Sequence, residues 1–119
     1  MIQLGTTLRC NLPPRHIWVV LSDPRRTHGE ILIANMTSLR PDSVDTECIL
    51  DLEDYPLLTH STTVAYSRHQ IGRAERLEAL TESGDFSVIT TVSEQTLKKI
   101  LEGARNSPQI PQAQKKLLG

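Results

Sequence analysis

Aromatic side chains are scarce: Trp18, Tyr55, Tyr66 and Phe86 are the whole set in 119 residues. That scarcity argues against nucleic-acid binding by a broad platform of stacked rings, so any RNA contact has to be mostly polar. Cysteine is rarer still. Cys10 and Cys48 could pair, but two cysteines with no signal peptide and no apolar membrane span read as reduced thiols. A cytoplasmic protein without a membrane association is therefore expected. There is no Cys-x-x-Cys unit, and His16, His28, His60 and His69 are scattered, so no structural zinc site and no cofactor are expected. A Gly-rich phosphate loop, a Gly-x-Ser-x-Gly elbow and a dinucleotide fingerprint are all missing, which removes the commonest nucleotide-binding and hydrolase readings. No internal repeat is present.

Net charge is −1, yet the charge is unevenly spread. Residues 1–40 hold five Arg against Asp23 and Glu30, whereas residues 41–60 hold Asp42, Asp45, Glu47, Asp51, Glu53 and Asp54 with no Lys or Arg. Unlike faces or ends follow from that asymmetry, one able to attract phosphate and another suited to repel it or to meet a basic partner. Scattered solvated charge explains any single segment equally well.

The length suits one compact domain with its own core, without disulfides or metal. Ile17-Trp18-Val19-Val20-Leu21 is the most apolar run and reads as a central strand covered on both faces. The link 23–29 is hairpin-sized, so Glu30-Ile31-Leu32-Ile33-Ala34-Asn35-Met36 is predicted to return antiparallel beside it. Further strands are predicted over residues 5–10, over 47–52 with Cys48, Leu50 and Leu52 on one face, and over 61–67, while 86–90 reads as one more strand or an extended connection. Arg68, His69 and Gln70 then fall at a strand end. Helices are predicted over 73–83, with Gly84 as its C-terminal cap, and over 93–104. The latter has capping-box spacing at Thr91-Val92-Ser93-Glu94 and an apolar stripe at Leu97, Ile100, Leu101 and Ala104, and Gly103, Asn106 and Pro108 end it. The fold class is mainly β with minor α, one domain over residues 1–106, followed by a flexible or docking tail at 107–119.

The chemistry gathers at strand ends. The strand from residue 30 passes within four residues from apolar to hydroxyl, hydroxyl and cation at Thr37, Ser38 and Arg40. Arg15 and His16 precede its antiparallel neighbour, so the start of one strand lies beside the end of the other and these side chains are expected to meet at one rim. A guanidinium and a hydroxyl together suit a phosphodiester, because Arg donates to two phosphate oxygens and stays charged. Arg68 is counted with this group as a substrate contact. An ordinary Ser/Thr turn and a solvated loop Arg are the plain alternatives.

The order of elements resembles the MazF/PemK-like toxins of bacterial toxin–antitoxin pairs. The resemblance rests on Arg15-His16-Ile17-Trp18-Val19-Val20-Leu21-Ser22, Ile31-Leu32-Ile33-Ala34-Asn35-Met36-Thr37-Ser38, Ser61-Thr62-Thr63-Val64 and Arg76-Leu77. It implies a small SH3-like β-barrel with a C-terminal helix, acting as a homodimeric, metal-independent endoribonuclease on single-stranded RNA and blocked by a cognate antitoxin. The family's catalytic Arg and Thr fall on Arg15 and Thr37; the neighbouring His16, Ser38, Arg40 and Arg68 are expected here as substrate contacts. Arg would neutralise the charge that develops when a ribose 2′-hydroxyl attacks its own phosphate, and the Thr hydroxyl would orient that phosphate. Beside Arg15, His16 offers a proton acceptor.

Two departures stand out. Only nine residues separate Gly5 from Arg15, where the family has a longer loop, and the family's Arg-Pro order is replaced by Pro13-Pro14-Arg15-His16. Such a loop either alters substrate access or marks a decayed site on a retained barrel. The alternative function is therefore a catalytically inactive barrel that binds protein or nucleic acid, and the plainest is a structural barrel with no RNA affinity.

Overall fold

The computed structural model describes all 119 residues. Its strands are β1 (Thr6–Cys10), β2 (Ile17–Val20), β3 (Glu30–Ser38), β4 (Ile49–Leu50), β5 (Thr62–Arg73) and β6 (Phe86–Thr91), with helices α1 (Ala74–Glu82), α2 (Glu94–Asn106) and α3 (Gln112–Lys115). The strands form one antiparallel sheet in the order β4-β5-β3-β2-β1-β6, curled into a half-barrel. The mainly β class read from the sequence is the observed one.

The predicted hairpin is the middle of that sheet. Val19 lies opposite Ala34 and Ile17 opposite Met36, and the turn between the strands places His28 and Gly29 at positive φ. Alternation along β3 sends Leu32, Ala34 and Met36 to one face and Ile31 and Ile33 to the other. The first face packs with Val19, Val64 and Tyr66 beneath Ile100, Leu101 and Ala104 of α2, the predicted helical stripe. On the other face, Ile31 joins Leu8, Val20 and Leu77 of α1. Covered on both sides, Val19 and Val20 are fully buried, as expected of a central strand.

Four local expectations are corrected. The strand predicted over 47–52 pairs only at Ile49 and Leu50, and Leu52 is 54% exposed rather than sharing the face of Cys48 and Leu50. The Asp51 N–H donates to Asp54 Oδ2 at 2.8 Å, which turns the chain out of the ladder. Arg68, His69 and Gln70 lie inside a twelve-residue strand, not at the end of a short one. A register shift opposite Ile33–Asn35 lets β5 bend and pair again, Gln70 with Ile33 and Arg73 with Glu30. The cap of α2 is Ser93, whose hydroxyl accepts from the Thr96 N–H, because Thr91 is committed to β6 opposite Thr6. Gly103 sits within α2 instead of ending it. By contrast Gly84 has φ +87 just past α1, the conformation a terminating glycine supplies.

Residues 107–119 pack against the body. Ser107, Ile110 and Leu118 are buried, and Leu118 bridges Ser22, two residues past the end of β2. Arg26 Nη2 donates to the carbonyls of Leu117, Leu118 and Gly119. Cys10 and Cys48 are both free, and no helix is long and apolar enough to cross a membrane.

Gly103 faces the buried Tyr66–Cys48 contact: an added Cβ would lie 2.6 Å from Tyr66 Oη and 2.8 Å from Cys48 Cβ. Alanine adds helix propensity of ~1 kcal/mol, but overpacking costs about 1–3 kcal/mol and here meets two fully buried side chains. Gly103→Ala is expected to lower Tm by about 5 °C in a thermal melt; an unchanged or raised Tm would show that the contact has room.

Candidate active site at the strand rim

Three segments build the site. Arg15 and His16 end the β1–β2 link, Thr37 and Ser38 end β3, and the 51–61 loop delivers His60 just before β5 begins. Because β5 runs antiparallel to β3 with Thr62 opposite Ser38 and Thr63 opposite Thr37, the last loop residues before Thr62 must land beside the end of β3. His60, two residues before Thr62, does so: Ser38 Oγ and His60 Nε2 are 2.7 Å apart, and the other ring nitrogen, Nδ1, lies 2.9 Å from Thr59 Oγ1.

These segments enclose an open cavity of about 380 Å³ whose wall includes Arg15, His16, Thr37, Ser38, Arg40 and His60, with Ile17, Met36, Leu57 and Leu58 as its apolar part. A second cavity of about 230 Å³ shares Thr37, Ser38 and Arg40 and continues to Thr63, Ser67 and Arg68 under residues 42–45. The strand end is thus the ridge between two compartments. Arg15 and His16 belong to the first and Arg68 to the second, while Thr37, Ser38 and Arg40 border both. All six residues singled out in the sequence therefore line one trough.

Electrostatics favour an anion in the first compartment. Arg15 and Arg40 are exposed and form no ion pair, for the salt bridges join Arg25 to Asp23, Arg73 to Glu75 and Lys99 to Asp54. The second compartment is mixed, since Asp42 and Asp45 line it beside Arg40 and Arg68. Asp45 is 5% exposed and structural: its carboxylate accepts from the Ser67 N–H at 2.9 Å and from the Ser67 hydroxyl, and its carbonyl accepts from Thr63 Oγ1. Part of the acidic run thereby folds onto the sheet instead of facing solvent. No group of three His, Cys, Asp or Glu side chains converges anywhere in the chain.

The loop that carries His60 is anchored from the opposite layer. Thr96 Oγ1 of α2 donates to the Asp54 carbonyl at 2.6 Å, Lys99 Nζ donates to Asp54 Oδ2 at 3.0 Å, and buried Tyr55 Oη lies 2.8 Å from Thr7 Oγ1. Ser61 Oγ donates to Asp51 Oδ1 at 2.8 Å. Burial pushes the Cys48 thiol, beneath this layer, up to about 11, so it packs as a neutral group.

His60, Thr59, Thr63, Ser67 and Asp45 were not singled out in the sequence. His60 carried a usable signal, since it lies immediately before the strand predicted over 61–67, which must pair with the strand ending in Ser38. No motif marks Asp45 or Ser67, which meet only through folding of the 39–48 segment.

A solved structure described as an endoribonuclease in complex with its cognate antitoxin from Mycobacterial species shares this fold. The TM-score is 0.61 over 93% of this chain and 98% of that one, at 15% identity. Neither protein-family models nor curated proteins match the sequence. At that identity the likeness establishes the fold, and it agrees with the resemblance to MazF/PemK-like toxins carried by the strand ends.

Asp54 offers a test of the anchor. The Asp51 N–H first, and the Lys99 ammonium beside it, hold its carboxyl below the ordinary 3.8 against the opposing effect of burial. A carboxyl depressed in the folded state contributes stability above its unfolded value, and that contribution is lost as pH falls through the folded value. Asp54→Asn is therefore expected to lower the denaturant midpoint near neutral pH, with the difference from wild type closing below about pH 4. A pH-independent difference would assign the loss to shape and not to charge.

Proposed function

We propose that this protein is an endoribonuclease of the toxin–antitoxin kind, cleaving single-stranded RNA without a divalent metal. The observation that carries the reading is the convergence of Arg15 and Thr37, from separate strand ends, on one cation-lined trough. The fold shared with an endoribonuclease bound to its antitoxin supports it. In this reading the chain is a cytoplasmic SH3-like barrel acting as a homodimer, and a cognate antitoxin protein is its regulatory partner.

The chemistry follows from the residues present. RNA supplies its own nucleophile, the 2′-hydroxyl next to each phosphate, so the protein has to position and stabilise rather than form a covalent bond. Arg15 donates its planar fork to the non-bridging phosphate oxygens, whose negative charge grows as the 2′-oxygen approaches phosphorus. Thr37 donates its hydroxyl to the same phosphate from the ridge, with Ser38 beside it. Arg40 and His16 hold the strand at the rim, and Arg68 receives the neighbouring nucleotide in the second compartment. The new 2′-O–P bond displaces the 5′-oxygen, leaving a 2′,3′-cyclic phosphate and a 5′-hydroxyl end. The trough is open enough for unpaired nucleotides, and its polar lining suits backbone contacts better than base stacking.

The test is cleavage of a long single-stranded RNA in EDTA by wild type, Arg15→Ala and Thr37→Ala, with folding of each checked by circular dichroism. Wild type is expected to cleave. Arg15→Ala is expected to be slower by about 100-fold or more, and Arg15→Lys intermediate, because an ammonium keeps the charge but loses the fork. RNA affinity should fall steeply with salt. Cleavage untouched by both alanine substitutions would remove the rim site, and absence of cleavage with retained partner binding would favour the inactive binding module.

A further inference from the structure

Deprotonation of the 2′-hydroxyl needs an acceptor, and neither Arg15 nor Thr37 is one: the guanidinium stays protonated, and a hydroxyl alone is a poor base. Two imidazoles line the same compartment, His16 and His60. His60 is the one built into a hydrogen-bonded chain. Its Nε2 lies 2.7 Å from Ser38 Oγ, on the ridge beside Thr37, and its Nδ1 lies 2.9 Å from Thr59 Oγ1.

Building on the endoribonuclease reading, we propose that Ser38 and His60 form the proton-accepting pair of the cleavage reaction, the hydroxyl passing the 2′ proton to the imidazole. The partners on the ring are what make this arrangement apt. A hydroxyl both donates and accepts. With His60 neutral, Nδ1–H donates to Thr59 and Nε2 accepts from Ser38; with His60 protonated, both nitrogens donate to the same two oxygens. The ring therefore gains and loses a proton without giving up either contact or leaving its position. The charged and titratable groups facing the compartment are Arg15 and His16 from the β1–β2 link and Arg40 beyond β3. On the loop itself, Asp51 is held by Ser61 and is not bonded to the ring. The His60 carbonyl accepts from Thr62 Oγ1 at 3.1 Å, which fixes the backbone that carries the imidazole.

The step balances as follows. The ribose 2′-O–H gives its proton to Ser38 Oγ as Ser38 gives its own to His60 Nε2. The 2′-oxygen forms the bond to phosphorus, the P–O5′ bond breaks, and the departing 5′-oxygen takes a proton from solvent, to which the trough is open. The imidazolium returns its proton to solvent before the next turnover. No oxidant, metal or further reactant enters.

Single-turnover cleavage by wild type, His60→Ala, Ser38→Ala and Arg15→Ala, alongside binding of a 2′-deoxy RNA analogue that cannot react, tests the pair. His60 is exposed, so its truncation leaves the core untouched. His60→Ala is expected to slow the chemical step on the order of 100-fold, to bind the analogue as wild type does, and to regain part of its rate with added imidazole. Ser38→Ala is expected to slow the chemical step by more than it weakens analogue binding. If His60→Ala cleaves at the wild-type rate while Arg15→Ala is inactive, the endoribonuclease reading stands and the proton-accepting pair is wrong. Weakened analogue binding with an unchanged chemical step would likewise overturn it, by making His60 a binding residue. A wild type that cleaves no RNA would overturn both.

Discussion

The pairing of β3 with β5 is the constraint on which the rest depends. β3 is hydrogen-bonded along both edges, to β2 and to β5, and β5 is long enough to pair with both ends of it. Regular pairing over that length would give a continuous twisted ribbon, and the register shift opposite Ile33–Asn35 adds a local bend to it. One half of β5 then lies buried between α2 and the 39–48 segment, and the other leads directly into α1. The two apolar clusters lie on opposite faces of this sheet, and the hydroxyl-bearing end of β3 is left at a rim.

Positioning at that rim is inherited from the core. Met36 is 5% exposed and Val64 is fully buried, so Thr37 and Thr63, their immediate neighbours, have little freedom to move. A site on the ends of core strands holds its groups more tightly than one on free loops. The 51–61 loop is tied down by Thr96 and Lys99 of α2, and buried Tyr55 adds a third anchor. Arg15 is different: it is exposed and has no ion pair. The trough thus combines a hydroxyl ridge held by the core with an unpaired cation.

Much of this was legible in the sequence where one local signal dominated. The hydrophobic run 17–21, its hairpin partner and the α2 stripe were each written in period and turn chemistry, and the antiparallel hairpin alone was enough to bring Arg15 to Thr37. What was not legible came from competition between backbone partners. Asp54 takes the Asp51 N–H and cuts β4 short, although Cys48, Leu50 and Leu52 keep the alternation of a longer strand. The bend in β5 has no residue signature, because a register shift is a property of two strands and not of one. Gly103 looked like a stop signal and is instead a space for Tyr66 and Cys48. His60 looked like one of four unrelated histidines because its meaning depends on the register of β5 against β3.

The central claim is that the ends of β3, the β1–β2 link and the 51–61 loop act as one RNA site. Titration of the ¹⁵N-labelled protein with a short 2′-deoxy-blocked RNA, followed by amide chemical shifts, tests it most directly. The account predicts that residues 15–17, 36–40 and 59–62 shift together with one dissociation constant, and that high salt abolishes the effect. Shifts confined to the apolar groove between α1 and the sheet, around Ile71, Leu77 and Phe86, would contradict it and move the binding surface to the opposite end of the sheet.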